Sequence, residues 1–578
     1  MRYKRPASVL ALLCLVTISL FLIQRVNKAV DLPISEIPFL QQKEKPIRPP
    51  VTSKSHPIER LTSIASENLQ HLKERQTRNL KEAIAEYRRR YRAPPPPHFD
   101  KWFELATRRR VQFTDEYDSI YHSLLPFWAV EPQVLRERTR EITGFDNALI
   151  AVRIRDHQIV KMEGGGDGDA YLRDSIRHMT SSFIQYLPDM DLAFNWHDEP
   201  RVVIPHDDLS RYVQRATNIS LPRAYNHHQL SNAWSPRPDD LGDGKSTKAY
   251  STTRFNRFAH QATWSNSRMS CPPDSPSRSL AESVEDDRAA YAMEPLGFVA
   301  NTTAFSDICN SPSLQRTYGF FDRPNSFDVS HDLFPIFSQS KVSSFQDILY
   351  PSPWYWVGKV GYQNWRDHYW TQKTNKMFWR GSTTGGFSRN GGWKRQHRQL
   401  FVGKINALDW ASKLEHNGEP EPDGTWTQVD FPRHNISDKF DVRFSKVGQC
   451  DPGDCDAQKE HFDVAEYVAW QDAFNYKYLA DVDGNAFSGR YYAFLLSRSL
   501  IYKLTIFREW HDEWLKPWVH YIPLSLHGDE YVESVRYFDE EEVGQVQAKE
   551  MATASREWAE QVLRKEDMEI WFFRLLLE

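Results

Sequence analysis

One stretch of sequence decides the fold prediction: Tyr476-Lys-Tyr-Leu-Ala-Asp-Val-Asp-Gly-Asn-Ala-Phe-Ser-Gly-Arg490, which runs on to Thr505. Its parts are typical of a buried strand at 476–482, a turn at 483–485, a helix at 486–497 and a second strand at 500–505. A strand, a short turn, a helix and another strand predict a βαβ unit of a parallel sheet. Anions bind at the carboxyl ends of such strands, beside a helix start. Arg490 lies in the first turns of the predicted helix, which makes this the best anion site in the sequence.

Strand and helix patterns also alternate before this unit, so the folded part is predicted to be α/β. Gly164–Asp169 is rich in glycine, but no Lys-Ser/Thr pair follows it, so we interpret it as a flexible surface loop rather than a phosphate cradle. The predicted elements are strands 148–154 and 158–162 in a hairpin around Arg155-Asp-His157, a helix at 171–187, strands 190–195 and 518–523, and long loops within 225–310.

Composition excludes several classes of protein. The chain has 578 residues, of which 40% are hydrophobic and 26% charged, and this length predicts two to four folding units. A mean hydropathy of −0.64 excludes a protein with many membrane spans. The formal net charge of −4 gives no electrostatic footprint for nucleic acid, so no nucleic-acid partner is expected. An aromatic content of 13% fits either a stacking surface for sugars or bases, or large aromatic cores.

The amino-terminal region predicts a membrane anchor followed by a stem. Residues 7–23 carry no charge and follow a basic tail at residues 1–6; as a helix they span about 26 Å, which suits the thin bilayers of the early secretory pathway. No cleavage site follows, so an uncleaved signal anchor in the Golgi or ER membrane is favoured over a cleaved signal peptide. Residues 24–97 then read as a stem with a helical segment at 57–92, and the folded part is expected to begin near Phe99. This single-pass type II arrangement places the bulk of the chain in the lumen.

Cysteines and glycosylation sequons agree with a lumenal location. Cys450 and Cys455 bracket a turn sequence, so a local disulfide is plausible, and a Cys271–Cys309 pair would follow by elimination. Asn-x-Ser/Thr sequons begin at three positions, Asn218, Asn301 and Asn435.

A polar cluster, Asn195-Trp-His-Asp-Glu-Pro-Arg201, follows the predicted strand at 190–195. Open α/β folds place catalytic groups at such strand ends. Asp198 and Glu199 are candidate general bases, with His197 as a candidate partner.

Metal sites are not predicted. The triplets Asp189-Met-Asp191 and Asp481-Val-Asp483 could hold Mg or Mn on a diphosphate, but turn and cap chemistry explains them better. The adjacent pair His227-His228 cannot share one helical face, which argues against zinc.

Five stretches form a recognisable ordered set: 187–201, Phe345-Gln-Asp-Ile-Leu-Tyr-Pro-Ser-Pro-Trp-Tyr-Trp356, Met377-Phe-Trp-Arg-Gly-Ser-Thr-Thr384, 475–490 and 499–523. They resemble glycosyltransferase family 90, the capsule-associated-protein family, over roughly residues 98–560. The stem and Tyr91-Arg-Ala-Pro-Pro-Pro-Pro97 look like the fungal branch, which includes β-1,2-xylosyltransferases; the animal relatives are protein O-glucosyltransferases and O-xylosyltransferases.

The resemblance implies a GT-B fold of two Rossmann-like lobes with a donor cleft between them, an acceptor-side lobe at 98–370 and a nucleotide-sugar lobe with terminal helices at 371–578. It also implies an inverting reaction with a UDP-sugar and no required metal. Asp198 falls on the family's base position. The implied donor-binding residues, with Asn485 to Gly489 as the helix start, are Arg380, Gly381, Ser382, Thr383, Asn485, Ser488, Gly489 and Arg490.

Two departures from the family leave questions open. The Asp481-Val-Asp483 triplet replaces a non-acidic segment of the glucosyltransferases, so Mn or Mg is not excluded, and the tract Gly385–Gly392 has no counterpart, which leaves acceptor choice open.

The predicted function is transfer of xylose, or next glucose, from UDP-xylose or UDP-glucose to a hydroxyl of a glycan or glycoprotein. The alternatives are a protein O-glucosyltransferase or O-xylosyltransferase acting on serine, an inactive Golgi lectin-like or scaffold protein, and a retaining or phosphoryl-transfer enzyme.

Overall fold

The computed structural model describes residues 52–226, 231–251, 253–257, 259–281, 283–419 and 424–578. The predicted tail and anchor, the stem up to residue 51 and the His227-His228 pair lie outside these ranges. Within them, no helix is both long and apolar enough to cross a lipid bilayer.

The first half of the chain contains a short amino-terminal strand, helices and the first sheet. Its elements are β1 (Thr52–Ser53), α1 (Pro57–Glu74), α2 (Leu80–Tyr91), α3 (Phe99–Arg109), α4 (Asp118–Leu124), α5 (Pro132–Thr143), β2 (Leu149–Arg155), β3 (Gln158–Glu163), α6 (Ala170–Thr180), β4 (Met190–Asn195), α7 (His206–Arg215), α8 (Leu221–Asn226), β5 (Asn256–Arg257), α9 (Trp264–Ser267), β6 (Ala292–Met293), β7 (Phe298–Val299), α10 (Thr302–Phe305), α11 (Leu314–Thr317), α12 (Gly319–Asp322), β8 (Asp328–Val329), β9 (Ile336–Ser338), β10 (Ile348–Leu349) and α13 (Pro353–Trp356).

The second half contains the second sheet and the terminal helices. Its elements are β11 (Thr374–Ser382), α14 (His397–Ile405), β12 (Trp410–His416), β13 (Trp426–Pro432), β14 (Phe440–Lys446), α15 (Pro452–His461), β15 (Tyr476–Val482), α16 (Tyr491–Leu495), β16 (Leu500–Leu504), β17 (Ile522–Pro523), α17 (Tyr531–Glu540), α18 (Glu542–Val562) and α19 (Lys565–Leu577).

The first sheet is mixed and has the order β10-β9-β4-β2-β3. β4, β9 and β10 are parallel, whereas β2 is antiparallel to both β3 and β4. The predicted hairpin is confirmed, with positive φ angles of 49° at Asp156 and 64° at His157 in its turn. The strand predicted at 190–195 is also confirmed as β4. This sheet is therefore only partly Rossmann-like, because its β2–β3 half is antiparallel.

The second sheet is wholly parallel and has the order β14-β11-β15-β16-β17. Counted along the chain, this order is 2-1-3-4-5, that of a doubly wound sheet whose strand order reverses between β11 and β15. The βαβ unit predicted from 476–505 is confirmed by the parallel pair β15–β16. β16 is buried along its whole length, as expected for a strand covered on both faces.

The helix of this unit is much shorter than predicted. It covers Tyr491–Leu495 rather than 486–497, so the helix start predicted at Asn485 to Gly489 is wrong. The preceding residues instead form a loop that bonds to itself and to the strand: the Gly484 amide donates to the Ala486 carbonyl at 2.8 Å, and the Ser488 hydroxyl donates to the Asp481 carboxylate. The elements predicted at 171–187 and 518–523 also shorten, to α6 and β17.

The segment from Thr52 to residue 97, which the sequence assigns to a stem, is part of the fold. β1 pairs with β13, and α1 and α2 bury the apolar stripes that predicted a helix. His56 is fully buried, and its Nε2 lies 2.9 Å from the Glu533 carboxylate on α17. Among the described residues the folded part therefore begins at Thr52 and not near Phe99.

The last helix ties the two halves together. α19 follows the second sheet in the chain but packs against α3 and α6, which flank the first sheet. The Trp102 indole donates to the Ile570 carbonyl at 3.1 Å, and the rings of Phe183 and Phe573 stack 4.5 Å apart. The last helix therefore joins the part of the fold that contains the second sheet to the part that contains the first.

Both expected disulfides are present, Cys271–Cys309 and Cys450–Cys455. The segment predicted as long loops, 225–310, holds only short helices and two-residue strands in its described part. The asparagines of the three sequons, Asn218, Asn301 and Asn435, are exposed.

Candidate functional site

The carboxyl ends of β11 and β15 meet at the point where the strand order of the second sheet reverses. The Gly385 amide, just beyond β11, donates to the Asn485 side chain beyond β15 at 3.2 Å. Open α/β sheets bind their ligands in the crevice at such a point. The fold thus brings together the two groups of predicted donor-binding residues, Arg380–Thr383 and Asn485–Arg490.

The two predicted arginines have different environments. The Arg380 guanidinium is paired with the Asp441 carboxylate at 2.6 Å, so its charge is compensated within the protein. Arg490 forms no ion pair with any described carboxylate; it donates to the Arg380 carbonyl at 2.5 Å. Burial lowers the pKa of Arg490, against a smaller raising effect of Asp481. Arg490 is therefore the better anion ligand of the two.

The smaller predicted residues also differ in what they offer. The Thr383 hydroxyl donates to the Gly448 carbonyl at 3.0 Å, and Ser488 is bonded to Asp481, so both side chains are engaged inside the protein. Ser382 and Asn485 remain half-buried at the crevice.

Gly381 and Gly489 allow aromatic rings to approach the backbone. A Cβ at Gly381 would lie 2.5 Å from the Trp379 ring, and one at Gly489 would lie 2.4 Å from the Trp354 indole nitrogen. Glycine at these positions is a packing requirement of the crevice.

Arg398, which the sequence reasoning missed, lies in the same crevice. It is buried on α14 and donates to the Asp483 carbonyl at 2.7 Å and to the Thr384 hydroxyl at 2.9 Å. Burial, and next the charge of Arg490, lower its pKa to about 10. Two cations close enough to repel each other make a site that an anion would stabilise. No spacing in the sequence pointed to Arg398, because α14 approaches the crevice only in the fold.

The tract Gly385–Gly392 has a structural role. Its first glycine has a φ of +118°, and a Cβ there would lie 3.1 Å from the Gly484 carbonyl, so the tract closes tightly over the crevice. Further along, the Gly391 amide donates to Asp454, which lies on α15 beside the Cys450–Cys455 disulfide.

Asp198 and Glu199 follow β4 but face different surroundings. Asp198 is exposed, whereas Glu199 is buried and accepts a hydrogen bond from the Ser326 amide at 3.1 Å. Protein atoms crowd around the Asp198 carboxyl, and this desolvation together with the charge of Asp169 raises its pKa. Burial and the charge of Asp198 raise the pKa of Glu199 to about 8. Asp198 is therefore the carboxylate that an incoming hydroxyl can reach.

The loop after β4 is fixed by hydrogen bonds. The Asn195 side chain donates to the Glu199 carbonyl at 2.7 Å and accepts from the His197 amide at 3.1 Å. His197 stacks beside Trp196, and burial lowers its pKa to about 4, so its ring is neutral at pH 7. No hydrogen bond in the described part of the chain joins His197 to Asp198, which leaves the predicted partnership without a contact.

Tyr171 and Trp354 lie between Asp198 and the loop that follows β15, residues 483–490, which we call the donor-side loop. Burial, and then the charges of Asp198 and Asp169, raise the pKa of Tyr171 to about 12. The Tyr171 and Trp354 ring centroids lie 6.5 Å apart, and the Trp354 indole donates to the Gly489 carbonyl at 3.1 Å. The Gly-rich loop that ends at Asp169 therefore lies beside the candidate base, as part of the wall of the site.

The Asp-x-Asp triplets are engaged with protein groups. Arg237 pairs with Asp189, and Arg155 pairs with Asp191 at 2.8 Å. Lys503 pairs with Asp481 at 3.1 Å, and the Tyr318 hydroxyl donates to Asp483 at 2.6 Å. In the described ranges no group of three or more His, Cys, Asp or Glu side chains has the geometry to hold a metal ion.

A cavity of about 550 Å³ lies at the carboxyl ends of β16 and β17, further along the same sheet edge. It contains the Lys503 ammonium and the carboxyl groups of Glu509 and Asp512. The carboxyl edge of this sheet thus presents arginines at the reversal point and carboxylates beside it.

Comparison with known proteins points to one family. Residues 321–578 match the model of glycosyl transferase family 90. The chain is 28% identical to O-glucosyltransferase rumi of Drosophila pseudoobscura pseudoobscura over 252 residues, which cover 42% of this chain and 54% of that relative. The corresponding values for O-glucosyltransferase rumi of Drosophila melanogaster are 27%, 252 residues, 42% and 53%. It is also 29% identical to Protein O-glucosyltransferase 3 of Mus musculus over 113 residues, which cover 19% of this chain and 22% of the relative.

The chain therefore spans about half the length of the rumi relatives. The family range contains Arg380, Arg398 and Arg490, whereas Asp198 precedes it. The resemblance seen in the sequence is confirmed for the second sheet and the segments that flank it.

Proposed function

We propose that the protein is an inverting glycosyltransferase that uses a UDP-sugar, because residues 321–578 match the model of glycosyl transferase family 90. The observation that carries the proposal is the crevice at the reversal point of the second sheet. The crevice holds Arg490 and Arg398. The charge of Asp198, in the loop after β4 of the first sheet, acts on Tyr171, whose ring lies 6.5 Å from that of Trp354, and the Trp354 indole donates to the Gly489 carbonyl of the donor-side loop. Cations beside one sheet and an exposed carboxylate beside the other fit the GT-B arrangement expected from the sequence.

In the proposed reaction the acceptor hydroxyl attacks the anomeric carbon of the donor from the side opposite the diphosphate. Asp198 accepts the hydroxyl proton, the new glycosidic bond forms, and the bond to the diphosphate breaks with inversion. Arg490 and Arg398 stabilise the negative charge that develops on the leaving diphosphate. The proposed mechanism requires no metal, because cations of the protein supply the charge.

We propose xylose as the donor sugar and a glycan hydroxyl as the acceptor, following the resemblance of the stem region to the fungal branch. The second candidate is transfer of glucose to serine of a protein, since the relatives named above are O-glucosyltransferases. Two disulfides and three exposed sequon asparagines support a place in the lumen of the Golgi or ER. A membrane anchor at residues 7–23 is part of the proposal.

A panel of UDP-sugars tests these assignments. The purified chain is incubated with UDP-xylose, UDP-glucose, UDP-galactose or UDP-N-acetylglucosamine, with and without EDTA, and UDP release is measured. We expect turnover with UDP-xylose above UDP-glucose, unchanged by EDTA, and a product of inverted anomeric configuration by NMR. A preference for UDP-glucose with a folded serine-bearing acceptor would support the second candidate. UDP binding without turnover on any donor would favour the lectin-like alternative, and retained configuration would contradict the mechanism.

A further inference from the structure

A groove of about 420 Å³ lies at the amino ends of β11 and β15. This is the edge of the second sheet opposite the crevice that holds Arg490 and Asn485. The groove is formed by the loop 365–372, which precedes β11, and by residues 471–475, which precede β15. It shares no residue with the proposed donor site, and we refer to it as the amino-edge groove.

Two aromatic side chains stand exposed at the amino-edge groove. Trp365 is 82% exposed and Tyr369 is 68% exposed. A single exposed aromatic residue needs no explanation, but two of them on one short loop that lines a cavity point to a ligand. Large aromatic rings of this kind dominate the energetics of contacts with ligands.

An ion pair and hydrogen bonds of a buried carboxylate hold the loop that carries these rings. Asp367, between them in sequence, has a fully buried carboxylate that is paired with the fully buried Lys373 ammonium. The same carboxylate accepts from the Tyr362 hydroxyl at 2.7 Å and from the Arg498 amide at 2.8 Å. The backbone of the loop that carries Trp365 and Tyr369 is therefore set in advance, which lowers the entropy cost of binding a ligand.

The groove contains a polar group that lacks a partner. Gln471 is only 5% exposed, and its side-chain oxygen has no hydrogen-bond partner among the described residues. A buried carbonyl oxygen left unbonded is costly, so a hydroxyl of a ligand would stabilise it. Gln372 and Asn475 add further amide groups to the lining.

The arginine and aspartates that line the groove are already in ion pairs. Its one arginine, Arg366, is paired with Asp472 at 3.4 Å. A phosphate or an acidic peptide would find this cation already compensated. The chemistry that remains is aromatic faces together with amide hydrogen-bonding groups.

From this combination we infer that the amino-edge groove binds a neutral carbohydrate chain. A pyranose ring offers one face of C–H groups, which packs on an aromatic ring, and a rim of hydroxyl groups, which bonds to amides. Stacking on Trp365 and Tyr369 and a hydroxyl bond to Gln471 would use the exposed rings and the unbonded amide oxygen of the groove. The inference extends the proposed function: a glycan acceptor would be held at a point remote from the site where a sugar is added to it.

Binding of neutral oligosaccharides to the purified full-length chain tests the inference without any turnover. The probes are xylohexaose, mannohexaose and maltohexaose, measured by saturation-transfer NMR and calorimetry. We expect saturable binding of at least one probe. Trp365→Ala should weaken it by at least about tenfold, and Gln471→Leu, which keeps the size but not the oxygen, should also weaken it. The matched control is Trp128→Ala, since Trp128 is 38% exposed on the turn Leu125–Ala129 in the first half of the chain; this variant should bind like the wild type.

Three results would overturn the inference: no saturable binding of any probe, unchanged binding in Trp365→Ala, or a dimer of the wild type that Trp365→Ala dissociates. The last result would assign the groove to contacts between copies of the chain. Failure of the proposed function is separate, because it shows as absent UDP-sugar turnover while oligosaccharide binding persists. UDP affinity and the melting temperature should be unchanged in all three variants, so a loss of folding is recognised directly.

Discussion

Asp198 and Glu199 are adjacent in the chain, yet the fold gives their carboxyl groups opposite chemistry. Glu199 is buried, and its pKa of about 8 keeps it protonated at neutral pH, so it cannot accept a proton there. The Asp198 side chain, in contrast, is exposed. Its pKa is raised by desolvation and by Asp169, which increases its basicity.

Substitution of the two carboxyl groups separates their roles. Asp198→Asn keeps the size and hydrogen-bonding reach of the side chain but removes the base, so the transfer rate should fall by roughly 10²–10⁴-fold. UDP affinity, measured by calorimetry, should stay at the wild-type value, because the nucleotide is assigned to the second sheet. Glu199→Gln mimics the protonated acid and should retain most activity. If Asp198→Asn retains more than about a tenth of the wild-type rate, the assignment fails.

Arg490, like Arg398, is a cation of the crevice that no carboxylate of the described residues pairs with. Charge-assisted hydrogen bonds contribute roughly 1.5–3 kcal/mol each, so Arg490→Ala should weaken UDP binding by about one to two orders of magnitude. Arg89→Ala is the control, since this exposed arginine pairs with Glu86 on the amino-terminal helix α2, outside the second sheet. Calorimetry that gives equal UDP affinities for the two variants would remove Arg490 from the site.

The sequence predicted where strands end better than it described the environments of the residues that follow them. Strand ends are visible as apolar runs that stop at polar residues, and this located the ends of β4, just before Asp198, and of β15, before the loop that leads to Arg490. The pairing of Arg380 with Asp441, the contacts of Arg398 and the position of Tyr171 depend on elements far apart in the chain. No local pattern carries that information, so these contacts could not be predicted.

Among the elements, the buried strands were predicted well and the helix at 486–497 was not. Periodicity identified β4 and β15 to the residue, since each strand contains a buried run of mainly apolar residues. The stretch 486–490 has the composition of a helix start, but its backbone and the Ser488 hydroxyl are used in bonds to the strand and to α13. Tertiary contacts thus overrode the local helical pattern.

The amino-terminal helices behave as part of the fold rather than as a detachable stem. Leu69, Leu72 and Tyr87 enter the larger apolar core, and Ile58 enters the second one. Removal of residues 1–97 would expose both cores, so we expect that truncated chain to be insoluble or to melt well below the wild type. A chain that begins at Thr52 retains α1, α2 and their contacts, and should melt near the wild type. Equal melting temperatures for the two truncations, measured by circular dichroism, would show that α1 and α2 contribute nothing to stability.

Across the whole molecule, buried ionisable groups make stability depend on pH. Burial raises the pKa of several carboxyl groups, so the folded chain holds protons that the unfolded chain releases. Such a group stabilises the fold fully below its unfolded pKa, and the stabilisation is lost as the pH rises through the folded pKa. The carboxyl groups with raised values include Asp483 and Asp512 at about 6, Glu513 and Glu530 at about 7, and Glu199 at about 8.

Buried histidines act in the opposite direction but in a different pH range. Burial lowers the pKa of His397 and His520 to about 3 and that of His197 to about 4. Their stabilisation is full above an unfolded pKa near 6.5 and is lost only as the pH falls towards those values. Between pH 6.5 and 7.5 the carboxyl groups therefore dominate.

The free energy of unfolding should fall as the pH rises from 6.5 to 7.5. One proton per pH unit corresponds to about 1.4 kcal/mol, and Glu199 stays largely protonated in the folded chain over this range, so its share alone is roughly 1 kcal/mol. Glu199→Gln removes that share, and its stability should vary less with pH than that of the wild type. Glu131→Gln is the matched control, because Glu131 is exposed, and it should follow the wild type. Denaturant unfolding at constant ionic strength measures how the free energy of unfolding of the wild type and of each variant changes with pH. A wild-type stability that is flat or rises over this range would contradict the raised carboxyl pKa values.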